Sequence, residues 1–293
     1  MWSEESQFEI LTLLYTHTFI LVVMSLLTLL NIAGCVAGWE ATYRLCSIAL
    51  PRLYGDAATP KLKAHGGSYL VALIHAIIMA VRGTYHVLQL LQAPSYAKLT
   101  IPITEAEEEQ VDEWYAATSA TERTNLLFFS WVVYDLMHIL VEYPNVGGLD
   151  TVWHHIAFLV CSFIAGTYGI LPFAMAWLLV GETSTIPLNL RWILINTNRG
   201  DTPALHATNM AFAVSFFIVR CIIYGLGLFH LLWSLKSEAQ VRVVLLDNRR
   251  GDLPRSFLYL VVALLVGGYG LNLMWFRKIL AMAQRGKKPT KKE

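Results

Sequence analysis

Apolar residues in this chain gather into long, nearly unbroken runs. Seven of them approach the ~20 residues that a helix needs to cross a bilayer: 11–33, 68–92, 124–143, 151–169, 171–195, 207–235 and 256–280. The pattern predicts an all-α polytopic membrane protein with about seven transmembrane helices. Between the fourth and fifth runs stands only Gly169-Ile-Leu-Pro172, which predicts a helical hairpin, since glycine suits a helix end and proline a first turn. The first run follows Ser3-Glu-Glu-Ser-Gln-Phe-Glu9, acidic where a secretory signal would be basic, so a permanent helix is expected there. There is no internal repeat and no soluble domain.

Composition agrees with this class. Hydrophobic residues make up 56% of the chain and charged residues 15%, against ~25% charged in a soluble domain. Cys35, Cys46, Cys161 and Cys221 are scattered through apolar segments, a spacing that suggests neither a disulfide framework nor a metal site. A net charge of +1 gives no reason to expect a nucleic-acid partner. The basic tail from Arg285 suits an anionic cytoplasmic leaflet. With the N-terminus lumenal, the cytoplasmic segments hold 13 Lys and Arg and the opposite side 7, which predicts a cytoplasmic C-terminus. The dissenting stretch is 236–255, with five basic residues and three acids on the lumenal side. The acidic segment 104–114 reads as a solvated loop.

Ionisable groups inside a membrane are costly, so those within the runs are candidate functional residues. His75, Arg82 and His86 fall within about 40° of one another on the second predicted helix. Tyr134, Asp135, His138 and Glu142 sit on the third, where Asp135, His138 and Glu142 share a face. Asp150 is placed to cap the fourth, with the adjacent pair His154 and His155 in the first turn or just beyond. Those two rings point about 100° apart, so they cannot share one role from one direction. Burial and the helix N-terminus both favour neutral imidazoles, able to act as base or nucleophile. On the fifth helix Glu182, Thr185 and Asn189 share a face beside Ser184. Pro187 removes the donor for the Thr183 carbonyl, so a kink and a locally polar cavity are expected. Arg191 reads as a snorkelling residue at the membrane exit. Arg220, Asn272 and Trp275 complete the set. Arg82 and Arg220 can balance Asp135, Glu142 and Glu182 if all face inward, which predicts a polar bundle interior with the first helix outside it.

Five of these segments, in order, resemble the TLC-domain family. They are Lys63-Ala-His-Gly-Gly-Ser-Tyr-Leu-Val-Ala-Leu-Ile-His75, Tyr134-Asp135, Trp153-His-His155, Gly181-Glu-Thr-Ser-Thr-Ile-Pro-Leu-Asn-Leu-Arg191 and Leu271-Asn-Leu-Met-Trp-Phe-Arg-Lys-Ile-Leu280. The resemblance implies six helices in a barrel-like bundle around a cavity, plus an N-terminal helix. It divides the chain into an N-terminal part, 1–60, a TLC domain, 61–283, and a basic tail, 284–293.

In ceramide synthases of this family the paired histidines belong to the active site, which makes His154 and His155 the catalytic candidates here, assisted by Asp135 and Glu182. Ceramide synthases carry a His-Asp and a further Asp one helix later, where this chain has Gly181, Glu182 and Ser184. That departure resembles the non-synthase transmembrane branch. The expected function is therefore binding of a membrane lipid or fatty acyl chain in the bundle and a part in membrane lipid homeostasis. Its lining would be His75, Arg82, His86, Tyr134, His138, Glu142, Ser184, Thr185, Asn189, Arg220, Asn272 and Trp275. Two alternatives stand beside it. One is an N-acyltransferase acting on a sphingoid base, the other an adaptor in translocation or trafficking. No cofactor is expected, and acyl-coenzyme A enters only as a co-substrate of the transferase. The resemblance implies the endoplasmic reticulum and leaves room for a homodimer.

Overall fold

The computed structural model describes residues 4–101, 113–197, 199, 202–246 and 252–285, with side chains from residue 28 to residue 282. The acidic loop 104–114 lies almost wholly outside the described residues, as does the tail beyond Arg285.

The first helix, α1, runs from Glu4 to Tyr54. At 1.5 Å per residue its 51 residues extend about 76 Å, far more than a bilayer crossing. The stretch expected to connect it to the next helix is thus helical too, and it packs on the bundle: Trp39 is buried and its Nε1–H donates to Ser130 Oγ at 3.2 Å. α2, Pro60–Leu90, begins on Thr59, whose side chain accepts from Leu62 N at 3.2 Å, with Pro60 in its first turn. After the short α3, Ser95–Leu99, come α4, Tyr115–Val141, and α5, Leu149–Tyr168.

The predicted hairpin follows. Gly169 closes α5 at φ 65°, a conformation glycine adopts without the Cβ penalty, and Pro172 opens α6, Pro172–Val180. The chain leaving α3 pins this turn: Ile101 N–H donates to Gly169 O at 2.9 Å and Leu171 N–H to Leu99 O at 2.7 Å. Every residue of α6 is buried, as expected for a helix apolar on all sides. The kink expected from Pro187 is present as a 3-10 turn, Gly181–Ser184, before α7, Thr185–Ile195. Proline offers no N–H to the turn before it, and the backbone tightens there.

α8, Pro203–Phe216, continues through π-helical turns, Phe217–Ile223, into α9, Tyr224–Ser234. The dissenting basic stretch contains α10, Glu238–Leu246, nine residues that are too short to cross a bilayer. It buries Val244 and Leu245 in the apolar core shared with α3 and with α11, Arg255–Arg285. Among the described residues five helical stretches are long and apolar enough to cross a membrane: Pro60–Leu90, Tyr115–Val141, Leu149–Tyr168, Pro203–Ser234 and Arg255–Met282. The first predicted run falls within α1, and the fifth is divided between α6 and α7. The chain is an all-α polytopic membrane protein.

α2 and α6 cross with backbones almost touching at Gly83. A Cβ there would stand 2.8 Å from the Val180 amide nitrogen and 2.7 Å from Leu179 Cβ, so the helices would have to part. Gly83→Ala should destabilise the bundle by about 1–3 kcal/mol through overpacking. A lower Tm in detergent would show this; an unchanged Tm would mean that the crossing is looser than described.

Candidate functional site

Between α2, α4 and α5 on one side and α7, α8 and α11 on the other lies a cavity of ≈770 Å³. That volume falls in the range of small-molecule sites. One end is polar, formed by Asp150 from the start of α5, Arg191 from α7, Asn209 from α8 and Lys278 from α11. Deeper in the cavity stand the aromatic rings of Phe128, Trp131 and Phe158, with buried His75, whose ring stacks on Trp131 at 4.3 Å. From Phe128 to Ile139 on α4 the lining extends about 17 Å along the helix.

The two histidines occupy different environments. His155 is held at both ring nitrogens: Nδ1 lies 2.9 Å from Thr151 O, and Nε2 lies 2.8 Å from Asp135 Oδ2 on α4. A carbonyl only accepts, so Nδ1 carries a proton, and the Nε2–Oδ2 contact requires one more, shared by ring and carboxyl. His155 is therefore an anchored group with no free lone pair while this arrangement lasts. That corrects the expectation of two neutral rings each able to act. His154 faces the cavity, with Phe158 at 4.6 Å and Trp275 at 5.2 Å between ring centroids. Its nitrogens have no hydrogen-bond partner among the described residues.

A second polar knot stands one helix away, where both helices depart from regular α geometry. The π-helical turns present Arg220 to the 3-10 turn. Its Nε–H donates to Gly181 O at 3.2 Å and Ser184 Oγ at 3.1 Å, while Nη2 reaches Glu182 Oε1 at 3.1 Å and Thr185 Oγ1 at 3.2 Å. π-Helical turns often mark functional positions, and this one aims a cation at backbone and carboxylate oxygens together.

The cavity thus gathers the four predicted catalytic candidates, His154, His155, Asp135 and Glu182, with His75, Ser184, Thr185, Asn189, Arg220 and Trp275. Six predicted lining residues do not line it. Arg82 and His86 both turn to Thr124 Oγ1, each at 2.8 Å. His138 bonds Glu40 Oε2 at 3.1 Å, and the Tyr134 ring stands 4.6 Å from the His138 ring. Glu142 lies 3.7 Å from His65 Nδ1. The α4 face is divided because the extension of α1 brings Glu40 and Tyr43 against it, leaving Asp135 alone to meet α5. Asn272 is buried away from the cavity. The expected charge balance holds for Arg220 with Glu182, whereas Arg82 meets a hydroxyl and Asp135 a histidine.

Asp150 is not the cap of α5. The cap lies two residues earlier, at extended Gly148, and Asp150 sits in the first turn. Its Oδ2 accepts from Trp275 Nε1–H at 3.0 Å and lies 3.6 Å from Lys278 Nζ, so it ties α5 to α11 at the polar end. Arg191 does not merely snorkel: its Nε–H donates to Asn209 Oδ1 at 2.7 Å on the cavity wall. Asn209, Phe212, Phe216 and Arg220 recur at helical spacing, a signal in the sequence that marks the α8 wall. Among the described residues no group of three or more His, Cys, Asp or Glu could hold a metal ion.

The chain is similar to known proteins. TLC domain-containing protein 4-B of Danio rerio is 31% identical over 112 residues, which is 37% of this chain and 42% of that protein. The match therefore spans less than half of that relative's length. The TLC domain family model covers far more, residues 67–281, from the start of the α2 segment that lines the cavity to the last turns of α11. The paired histidines, α3 to α10 and every cavity-lining residue but Met282 lie within that match, and the protein belongs to the TLC domain family.

Proposed function

We propose that the protein binds a membrane lipid or fatty acyl chain in the bundle cavity and contributes to the lipid composition of its membrane. The observation that carries this reading is the cavity itself, walled largely by apolar and aromatic side chains and carrying Asp150, Arg191 and Lys278 at one end, the form an amphiphile requires. The charge asymmetry of the loops turns the polar end toward the cytoplasm. The endoplasmic reticulum is the compartment this reading takes from the family resemblance.

One feature favours transfer chemistry as a second reading. His154 faces the cavity with unbonded nitrogens, beside a histidine held in place by Asp135. Such a ring can take a proton from an attacking amine, or displace the thiol of acyl-coenzyme A to hold the acyl group until the amine displaces the ring in turn. Against it, the polar groups around Arg220 are occupied with one another.

Mass spectrometry of the purified chain, together with an assay using acyl-coenzyme A and a sphingoid base, separates the readings. The leading one expects a non-covalently retained amphiphile and no N-acyl product. Product formation that falls by about 10²–10⁴-fold in His154→Ala would establish the transferase instead. A wild type both lipid-free and inert would sink both.

A further inference from the structure

We infer that the ligand of this cavity carries an anionic headgroup, a phosphate or carboxylate, received at the polar end by Arg191. The inference rests on the lipid-binding reading above and adds the charge of the ligand.

The cavity's carboxylates are already matched. Asp135 meets His155 at 2.8 Å, Glu182 meets Arg220 at 3.1 Å and Asp150 has Lys278 Nζ at 3.6 Å. Arg191 is left over. Its Nε–H is taken by the neutral Asn209 Oδ1, and its two Nη groups have no partner among the described residues. A guanidinium with unfilled donors is stabilised by an anion, and its fork of donors suits phosphate or carboxylate oxygens.

The unpartnered Nη groups of Arg191 are donors on a cation, so the complementary headgroup brings acceptors and negative charge. A protonated sphingoid amine brings the reverse of both.

The test measures binding of four probes to the purified full chain in neutral detergent: oleoyl lysophosphatidate, oleate, sphingosine and inorganic phosphate. The expected result is binding of the two anionic amphiphiles in preference to sphingosine, and weak binding of phosphate alone. Arg191→Gln should weaken both anionic amphiphiles by about tenfold or more, as loss of charge-assisted hydrogen bonds implies. Arg191→Lys keeps the charge without the fork of donors and should bind between the wild type and Arg191→Gln. Arg44→Gln, on an exposed side chain outside the cavity, should bind as the wild type does and controls for the loss of a cation elsewhere.

Sphingosine binding as tightly as oleate, or equal affinities in wild type and Arg191→Gln, would overturn the inference while leaving lipid binding intact. If inorganic phosphate binds as well as lysophosphatidate and with the same dependence on Arg191, the site takes free anions and the headgroup assignment fails. If no amphiphile binds the wild type, the lipid reading falls and this inference falls with it.

Discussion

Replacing Arg220 by methionine should destabilise the bundle by about 3–5 kcal/mol, because it breaks a buried ion pair from one side only. Arg220 is 8% exposed and serves four oxygens, three of them on the 3-10 turn that precedes Pro187. Its loss leaves the Glu182 carboxylate without a cation and the Gly181 carbonyl with the Ser184 hydroxyl as its side-chain donor. Methionine fills much of the arginine volume, so the penalty is chiefly electrostatic. The double variant Arg220→Met, Glu182→Met should recover much of the stability, since removing both charges removes the unpaired one. Unfolding in mixed detergent micelles measures the two variants side by side. Equal stability of wild type and Arg220→Met would mean that the pair is solvated and that the two distorted helices do not meet there.

What could be read in the sequence is local. Run length marked the apolar helices, and Gly169 with Pro172 marked the hairpin, because each signal is carried by neighbouring residues. Pro187 marked a break for the same reason, since its missing donor acts on the turn just before it. The inward direction of Asp135, His155 and Glu182 was legible from the cost of leaving charge in lipid.

The remainder depended on partners distant in the chain. Nothing within 34–54 announces that α1 continues, and without that continuation Glu40 and Tyr43 are missing from the environment of His138. The face shared by Asp135, His138 and Glu142 therefore reads as belonging to one cavity, although three different helices meet it. The π-helical turns Phe217–Ile223 contain neither proline nor glycine, and their apolar residues give no local warning. What distinguishes them is Arg220 reaching the 3-10 turn, a tertiary relation. The contrast between His154 and His155 was half legible. Helical geometry separated the two rings by about 100°, but only the position of Asp135 and of the Thr151 carbonyl decides which one is anchored.

The second large effect is expected from filling the cavity without touching its charged groups. Ala72 on α2 and Ala213 on α8 both contribute to the lining. A tryptophan at either position projects a large ring into space that an acyl chain would occupy, and the two together approach the cavity from different helices. Because the added volume enters a void, the overpacking penalty should be small beside the loss of binding. Helicity and micelle behaviour should remain those of the wild type, so that a loss of lipid is not a loss of fold.

The most direct measurement is lipid occupancy per chain by native mass spectrometry, on wild type and on the Ala72→Trp, Ala213→Trp double variant from the same membranes. The account expects near-stoichiometric retention of an amphiphile by the wild type and loss of most of it in the double variant. A folded double variant that keeps as much lipid as the wild type would place the lipid outside the cavity and contradict the account.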